Sequence, residues 1–469
     1  MMEVTIKVGD FVMRVLELIN QQLITNEDKI AMYIDEMHIS YNDLMIESEK
    51  IATALIQYPK NIMIGITMKN PIQFIKWYIA ALKCELIPCV LDPYISEEKT
   101  NELLTLYHIP LLVDDSSKVT YRKIENNTSL PRDILHIGFT SGTTGIPKAY
   151  MRNHQSWIQS FKYNEDLLKG YTNIIIAPGP HAHSLTLYAM IYTLYTGRTF
   201  IGQKKFNTQI LNKLINKFSE NQTMFIVPTM LYSLLNHNVH LMNVTSIFSS
   251  GAKLSTQIFE KFKHKYPYID LIEFFGSSEA SFISYNINGQ ADSESVGKLF
   301  PSVQVQIKDK DENDIGKLYV KSDMTFSGYL NEEVHDEWIK IGDWASISAD
   351  QELRLFGRES DRLIIGGKNV YPEIIEQKLL NLDIIDEAII ISKKHNKFGE
   401  IAILLYKGKD HLQYLSMKKY LLACGLSRYE IPSQMIRVKK MKYTFSGKIA
   451  RYKMKSIYEL GGEAWNQLL

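Results

Sequence analysis

Apolar and polar positions along the first half of the chain switch between two periods. Ile62, Met63, Ile64 and Ile66 form a short apolar run that reads as a buried strand. Over 71–82 the apolar residues Ile72, Ile75, Ile79 and Leu82 recur at helical spacing, and Pro71 suits a first helical turn. Strand character returns over 86–91. A strand, a helix and a strand in so short a stretch predict a βαβ unit and parallel pairing. A second such region has strands over 173–177 and 199–201 around a helix over 185–195. A helix over 208–218 and strands over 224–227 and 246–249 follow. Past Val296 the pattern changes to short strands with turn signals, at 304–307, 316–320 and 342–347. These predict a small antiparallel or barrel-like subdomain. From about Asp361 a fresh cycle begins: strands over 363–365, 388–392 and 401–406, with helices over 372–380 and 415–423. That is a compact α+β unit, and no Pro/Ser-rich linker precedes it, so any hinge is short. The fold class expected is therefore α/β, with parallel-sheet βαβ subdomains and a small β-barrel-like subdomain before the C-terminal α+β unit.

A length of 469 residues implies two or three domains, and 45% apolar with 22% charged residues is a globular composition. A formal net charge of +1 and the lack of a basic block argue against a nucleic-acid or membrane-surface binder. Cys84, Cys89 and Cys424 show no metal-binding spacing and read as reduced thiols, as in a cytoplasmic enzyme. No secretory signal follows Met1, and no apolar run approaches the ~20 residues of a membrane span.

Candidate chemistry begins at Phe139-Thr140-Ser141-Gly142-Thr143-Thr144-Gly145-Ile146-Pro147-Lys148, directly after an apolar strand over 134–139. Glycines let the backbone turn tightly, the freed N–H groups form an anion nest, and hydroxyls and an ammonium add donors. The run is a phosphate cradle. It is not the common nucleotide P-loop, because Lys148 follows Pro147 and Ala149 stands where a Mg²⁺-binding hydroxyl belongs. A second constellation is Glu273-Phe274-Phe275-Gly276-Ser277-Ser278-Glu279, placed after a hydrophobic strand, where α/β sheets put their ligands. Ser250-Gly251-Ala252-Lys253 also follows a strand, and its small residues would let a flat base lie on the backbone.

Together these runs resemble the acyl-adenylate-forming superfamily, which groups acyl-CoA synthetases, amino-acid adenylation domains and beetle luciferases. The resemblance covers nearly the whole chain, from Ile39-Ser40-Tyr41-Asn42-Asp43-Leu44 onward, and Glu85 stands where the family has glycine. It implies ATP, Mg²⁺ and CoA as cofactors and an acyl-AMP intermediate. It also implies a large domain over 1–359 and a small mobile C-terminal domain over 360–469. Thr140, Ser141, Gly142, Thr143, Thr144, Gly145 and Lys148 would grip the departing pyrophosphate. Phe275, Gly276 and Ser278 match the aromatic-Gly-x-Thr-Glu motif, with Ser278 meeting the α-phosphate and Glu279 holding Mg²⁺. Gly251 and Ala252 would pack on adenine. Trp338-Ile339-Lys340-Ile341-Gly342-Asp343 resembles Trp-x-x-Thr-Gly-Asp, which gives Asp343 the ribose hydroxyls, while Ile341 replaces the threonine. Arg358, in Gly357-Arg358-Glu359-Ser360-Asp361, would contact ribose or phosphate, and Ser360 falls at the hinge. Gly366, Gly367 and Lys368 match the loop that lines the pantetheine tunnel. Lys448, in Tyr443-Thr444-Phe445-Ser446-Gly447-Lys448, is the adenylation lysine of this resemblance. Thr140, Ser278, Glu279 and Lys448 make up the expected catalytic set.

For the acid pocket the resemblance points to His181, His183 and Ser184 in Pro178-Gly179-Pro180-His181-Ala182-His183-Ser184. No aspartate stands there to pair an α-ammonium, and the apolar helix that follows leans toward fatty or aryl acids. The leading expectation is an ATP- and CoA-dependent acid–CoA ligase. A carrier protein's phosphopantetheine as acceptor, or a non-catalytic nucleotide binder, are the alternatives.

Overall fold

A computed structural model describes residues 14–123, 130, 131, 133–140, 147–332, 337–443 and 449–469. Two sheets dominate the part of the chain before residue 359. In the first, strands Met63–Thr67, Ile87–Val90, Leu111–Asp114 and Ile134–Thr140 run parallel. Val119–Tyr121 and Lys148–Asn153 close its edges in antiparallel pairs. In the second, Ile30–Ile34, Thr199–Gly202, Ile174–Ile176, Gln222–Ile226, Val244–Ser249 and Asp270–Ser277 form the parallel portion. The βαβ expectation thus holds in both halves.

Helices Pro71–Lys83 and Ser184–Tyr195 lie in the core shared by the two sheets. Both are apolar on nearly every side, as a helix covered on all faces must be. Pro71–Lys83 starts where Asn70 accepts a hydrogen bond from the Ile72 N–H at 3.0 Å and Pro71 needs no donor partner. It ends in a left-handed residue, Glu85, at φ 55°. This explains why the family favours glycine there: glycine adopts that backbone without a Cβ clash. Glu85 is tied to Lys60 at 2.5 Å on the surface. Glu85→Gly exchanges left-handed strain and an exposed ion pair for chain entropy, so thermal melting is expected to register a net change within ~1 kcal/mol.

The short strands beyond Val296 are antiparallel, as expected, but they build no separate sheet. Ser281–Ile287, Ser295–Leu299, Glu352–Arg358, Ile339–Ile347, Gly316–Lys321 and Gln304–Lys308 continue the second sheet from Asp270–Ser277 outward. The helix predicted over 208–218 is shorter, Thr208–Ile215, because Asn216 caps it and the next apolar residue, Phe218, meets the Tyr33 ring edge-on. The C-terminal α+β unit pairs Leu363–Ile365, Lys368–Val370, Ile385–His395, Gly399–Gly408 and Gln434–Arg437 in one sheet with its own core. It meets the larger part through Tyr371 against Trp344 and an ion pair of Lys378 with Glu294 at 2.5 Å. Among the described residues no helix is long and apolar enough to cross a membrane.

Candidate functional site

The candidate segments leave the carboxyl ends of parallel strands, where an α/β sheet opens to ligands. Thr140 ends Ile134–Thr140, 177–183 follows Ile174–Ile176, Ser250 follows Val244–Ser249, and Ser278 follows Asp270–Ser277. Most of the second constellation lies within the last of these strands rather than after it, and only Ser278 and Glu279 occupy the turn. Gly276 lets that hairpin close: a Cβ there would stand 2.1 Å from the Ser281 carbonyl oxygen. The Ser277 hydroxyl accepts from the N–H groups of Glu279 at 3.3 Å and Ala280 at 3.1 Å, which shapes the turn. Phe275 is half-buried beside it.

The turn gathers polar side chains from distant segments. Ser278 Oγ lies 2.8 Å from Ser184 Oγ, which lies 3.0 Å from the Tyr150 hydroxyl. The Tyr329 hydroxyl donates to Glu279 Oε1 at 2.6 Å. Burial, then the Glu279 charge, pushes the Tyr329 phenol well above its ordinary value. Lys148 opens the strand Lys148–Asn153, paired in register with Thr140, and its ammonium stands 4.6 Å from the Tyr329 ring centre. The same ammonium pairs with Glu332 at 2.8 Å. The glycine–hydroxyl run therefore connects two antiparallel strands, and Ser141, Gly142, Thr143, Thr144 and Gly145 lie outside the described residues. Tyr150, Tyr329 and Glu332 were not found from sequence. Gly328, just before Tyr329, adopts φ 101°.

Asp343 and Arg358 face each other across adjacent strands, and Arg358 Nη1 lies 3.3 Å from Asp343 Oδ2. Gly342, at φ 83°, bends the chain just before the aspartate. Asp343 is buried while Arg358 is half exposed, so the pair offers a carboxylate fixed from one side and a cation at the rim. Gly251, at φ 93°, and Ala252 form an exposed turn, anchored where the Leu254 N–H donates to Glu273 at 2.6 Å.

His181 is buried with its ring 4.8 Å from that of Phe74. Burial lowers it to about 4, so it is neutral at pH 7. His183 precedes helix Ser184–Tyr195 and is likewise held down by burial, opposed by Asp92. His154 is lowered to about 4 and His136 well below its ordinary value, both by burial first. Each of these groups binds its proton more readily in the unfolded chain. Their contribution to stability is therefore whole above about pH 6.5 and lost as pH falls through the lowered values, by up to ~3 kcal/mol each for His181 and His154, which reach about 4. A urea midpoint that drops between pH 7.5 and pH 5 is the expected result, and a flat midpoint contradicts it.

In the C-terminal unit Ser360 sits in the short 3-10 turn Glu359–Asp361, its hydroxyl 3.2 Å from Asp361 Oδ1. Gly366 and Gly367, at φ 59° and 78°, form a two-residue hairpin turn, and Lys368 pairs with Glu312 at 2.9 Å. Lys448 lies outside the described residues. Its flanks are described: Tyr443 bridges Ile449, and Arg451 pairs with Asp361 at 2.9 Å and Glu376 at 2.5 Å.

A family model described as AMP-binding enzyme matches residues 110–330. The chain is 44% identical over 456 residues to the "Putative long chain fatty acid-CoA ligase VraA" of Staphylococcus epidermidis, covering 96% of this chain and 99% of that protein. It is 28% identical to the uncharacterized acyl–CoA ligase YhfT of Bacillus subtilis, covering 93% and 96%. Among solved structures, O-succinylbenzoate coenzyme A synthetase (MenE) from Bacillus subtilis in complex with AMP aligns with a TM-score of 0.82 at 20% identity, over 93% of this chain and 98% of that one.

Proposed function

The chain belongs to the acyl-adenylate-forming superfamily, in its acyl-CoA synthetase branch, and from that premise we propose its reaction and the residues that carry it. It is an AMP-forming acid–CoA ligase. A carboxylate oxygen attacks the α-phosphorus of ATP, forming one P–O bond as the bond to the β-phosphate breaks and pyrophosphate leaves. The thiol of CoA then attacks the acyl carbon, a C–S bond forms, and AMP departs. The acid is a fatty acid, a reading supported by the names of relatives 42–44% identical across nearly the full chain. The reaction runs in the cytoplasm.

The observation that carries the site assignment is the meeting of Ser278, Glu279 and Lys148 at one strand end, joined through Tyr329. Both reactants are anions, so positioning and fixed charge must supply most of the catalysis. Thr140 and Lys148, with Ser141 to Gly145, hold the β- and γ-phosphates. The Ser278 hydroxyl, oriented by Ser184, donates toward the α-phosphate. Phe275, Gly276, Gly251 and Ala252 shape the adenine site, and Asp343 accepts from the ribose hydroxyls with Arg358 at its rim. His181, His183 and Ser184 border the acid. Gly366, Gly367 and Lys368 receive pantetheine after the unit over 360–469 pivots at Ser360.

The donor set at Glu279 fits Mg²⁺, which takes one or two carboxylates and fills its remaining positions with phosphate oxygens and water. Glu279 would hold it, with Tyr329 fixing one carboxylate oxygen. When bound, the ion neutralises phosphate charge. Pyrophosphate release with a panel of fatty and aryl acids, followed by mass detection of the acyl-CoA, tests the proposal. Release with fatty acids and a CoA thioester is expected. Release without thioester would move the acceptor to a carrier protein, and no release with any acid would leave a nucleotide binder.

A further inference from the structure

Among the described residues Arg152 is the largest that is fully buried, at 2% exposure. It lies on the strand Lys148–Asn153, where Lys148, Tyr150 and Arg152 alternate and so share one face. That face looks at the Ser278–Glu279 turn. Tyr150 gets there by leaning over its cross-strand partner Gly138, where a Cβ would come 2.2 Å from its hydroxyl oxygen. Arg152 Nη1 donates to the Met324 carbonyl at 2.6 Å and to Ser156 Oγ at 3.3 Å, and Nη2 donates to the Ser278 carbonyl. Nε has no partner. Among the described residues no carboxylate lies within ion-pair distance of this guanidinium.

A buried cation without a counter-carboxylate is costly, so its place in the fold calls for an account beyond packing. Its two carbonyl partners explain the place. Ser278 belongs to the turn with Glu279, and Met324 begins the segment that carries Tyr329, the residue hydrogen-bonded to Glu279. One guanidinium thus ties together both backbones that set the Glu279 carboxylate. Burial lowers Arg152 only to about 10, with Tyr150 and Glu279 opposing, so it stays charged at pH 7.

We infer that Arg152 is a positioning residue for adenylation: it locks the Ser278–Glu279 turn to the Met324–Tyr329 segment and keeps a positive charge behind the point where carboxylate and α-phosphate meet. The inference rests on the adenylating reaction proposed above. With the reacting anions in place the unpaired charge is answered, and the field is already oriented before they arrive.

Arg152→Gln keeps a hydrogen-bonding side chain and removes the charge, whereas Arg152→Lys keeps the charge. The unmodified chain is measured first by single-turnover release of pyrophosphate with an acid that it accepts. If it releases none with any acid, the proposed function fails. Where it does release pyrophosphate, Arg152→Gln should lower the rate of acyl-AMP formation by ~100-fold at unchanged burst amplitude, and Arg152→Lys should recover ~10-fold of that loss. Burst amplitude counts folded, competent sites, so a partly unfolded preparation still reports the rate per site. Equal rates in the two variants, or a loss confined to amplitude, would overturn the role and leave Arg152 as packing.

Discussion

Replacing Lys448 with alanine is expected to stop acyl-adenylate formation while leaving the conversion of preformed acyl-AMP to the thioester close to that of the unmodified protein. The first step brings a carboxylate to a phosphate, and one ammonium between them can follow the charge as it moves from the attacking oxygen to the leaving group. Removing such a fixed donor costs ~10²–10³-fold in comparable sites. The second step has a neutral acyl carbon as electrophile and makes no such demand. The described residues on either side have anchors of their own: Tyr443 donates to Glu387 at 2.5 Å, and Arg451 is held by Asp361 and Glu376. The fold of the C-terminal unit should survive, with an unchanged melting temperature. Pyrophosphate release that persists in Lys448→Ala would remove the lysine from the first step.

Glu279→Gln should be the second severe variant. Glutamine keeps the volume of the side chain and an oxygen to accept from Tyr329, so the turn held by Ser277 and Gly276 should stay in place. What it loses is the negative charge that a hard divalent cation requires. Adenylation is expected to fall by ~10²-fold or more, with the Mg²⁺ concentration needed for half-maximal rate rising. Nucleotide binding measured by calorimetry without Mg²⁺ should change little. A variant whose rate and Mg²⁺ dependence match the unmodified protein would detach Glu279 from the metal.

Much of this site was legible in the linear chain because its chemistry is carried by contiguous runs. The glycine–hydroxyl run ending at Lys148 reads as a phosphate cradle wherever it folds, since the backbone amides it frees are its own neighbours. Gly-Asp at 342–343 and Gly-Gly at 366–367 are equally local, because a positive φ is a property of the residue that adopts it. The βαβ repeats were legible for a similar reason, as hydrophobic period is set by local geometry. The merging of the late antiparallel strands into the second sheet was not, because strand order is a long-range choice among pairings of similar pattern.

The sequence by itself determined the element types, the candidate phosphate and ribose motifs and the class of reaction. Only the tertiary structure decided which polar groups meet around them. Ser184 reaches Ser278 across 94 positions, Arg152 reaches Ser278 across 126, and Lys148 reaches Glu332 across 184. No periodicity connects such residues. They meet because two sheets share a core, which brings the ends of their strands together. A buried arginine shows the difference most clearly: along the chain Arg152 is one cation among 53 basic residues, and only its burial beneath the turn gives it a role.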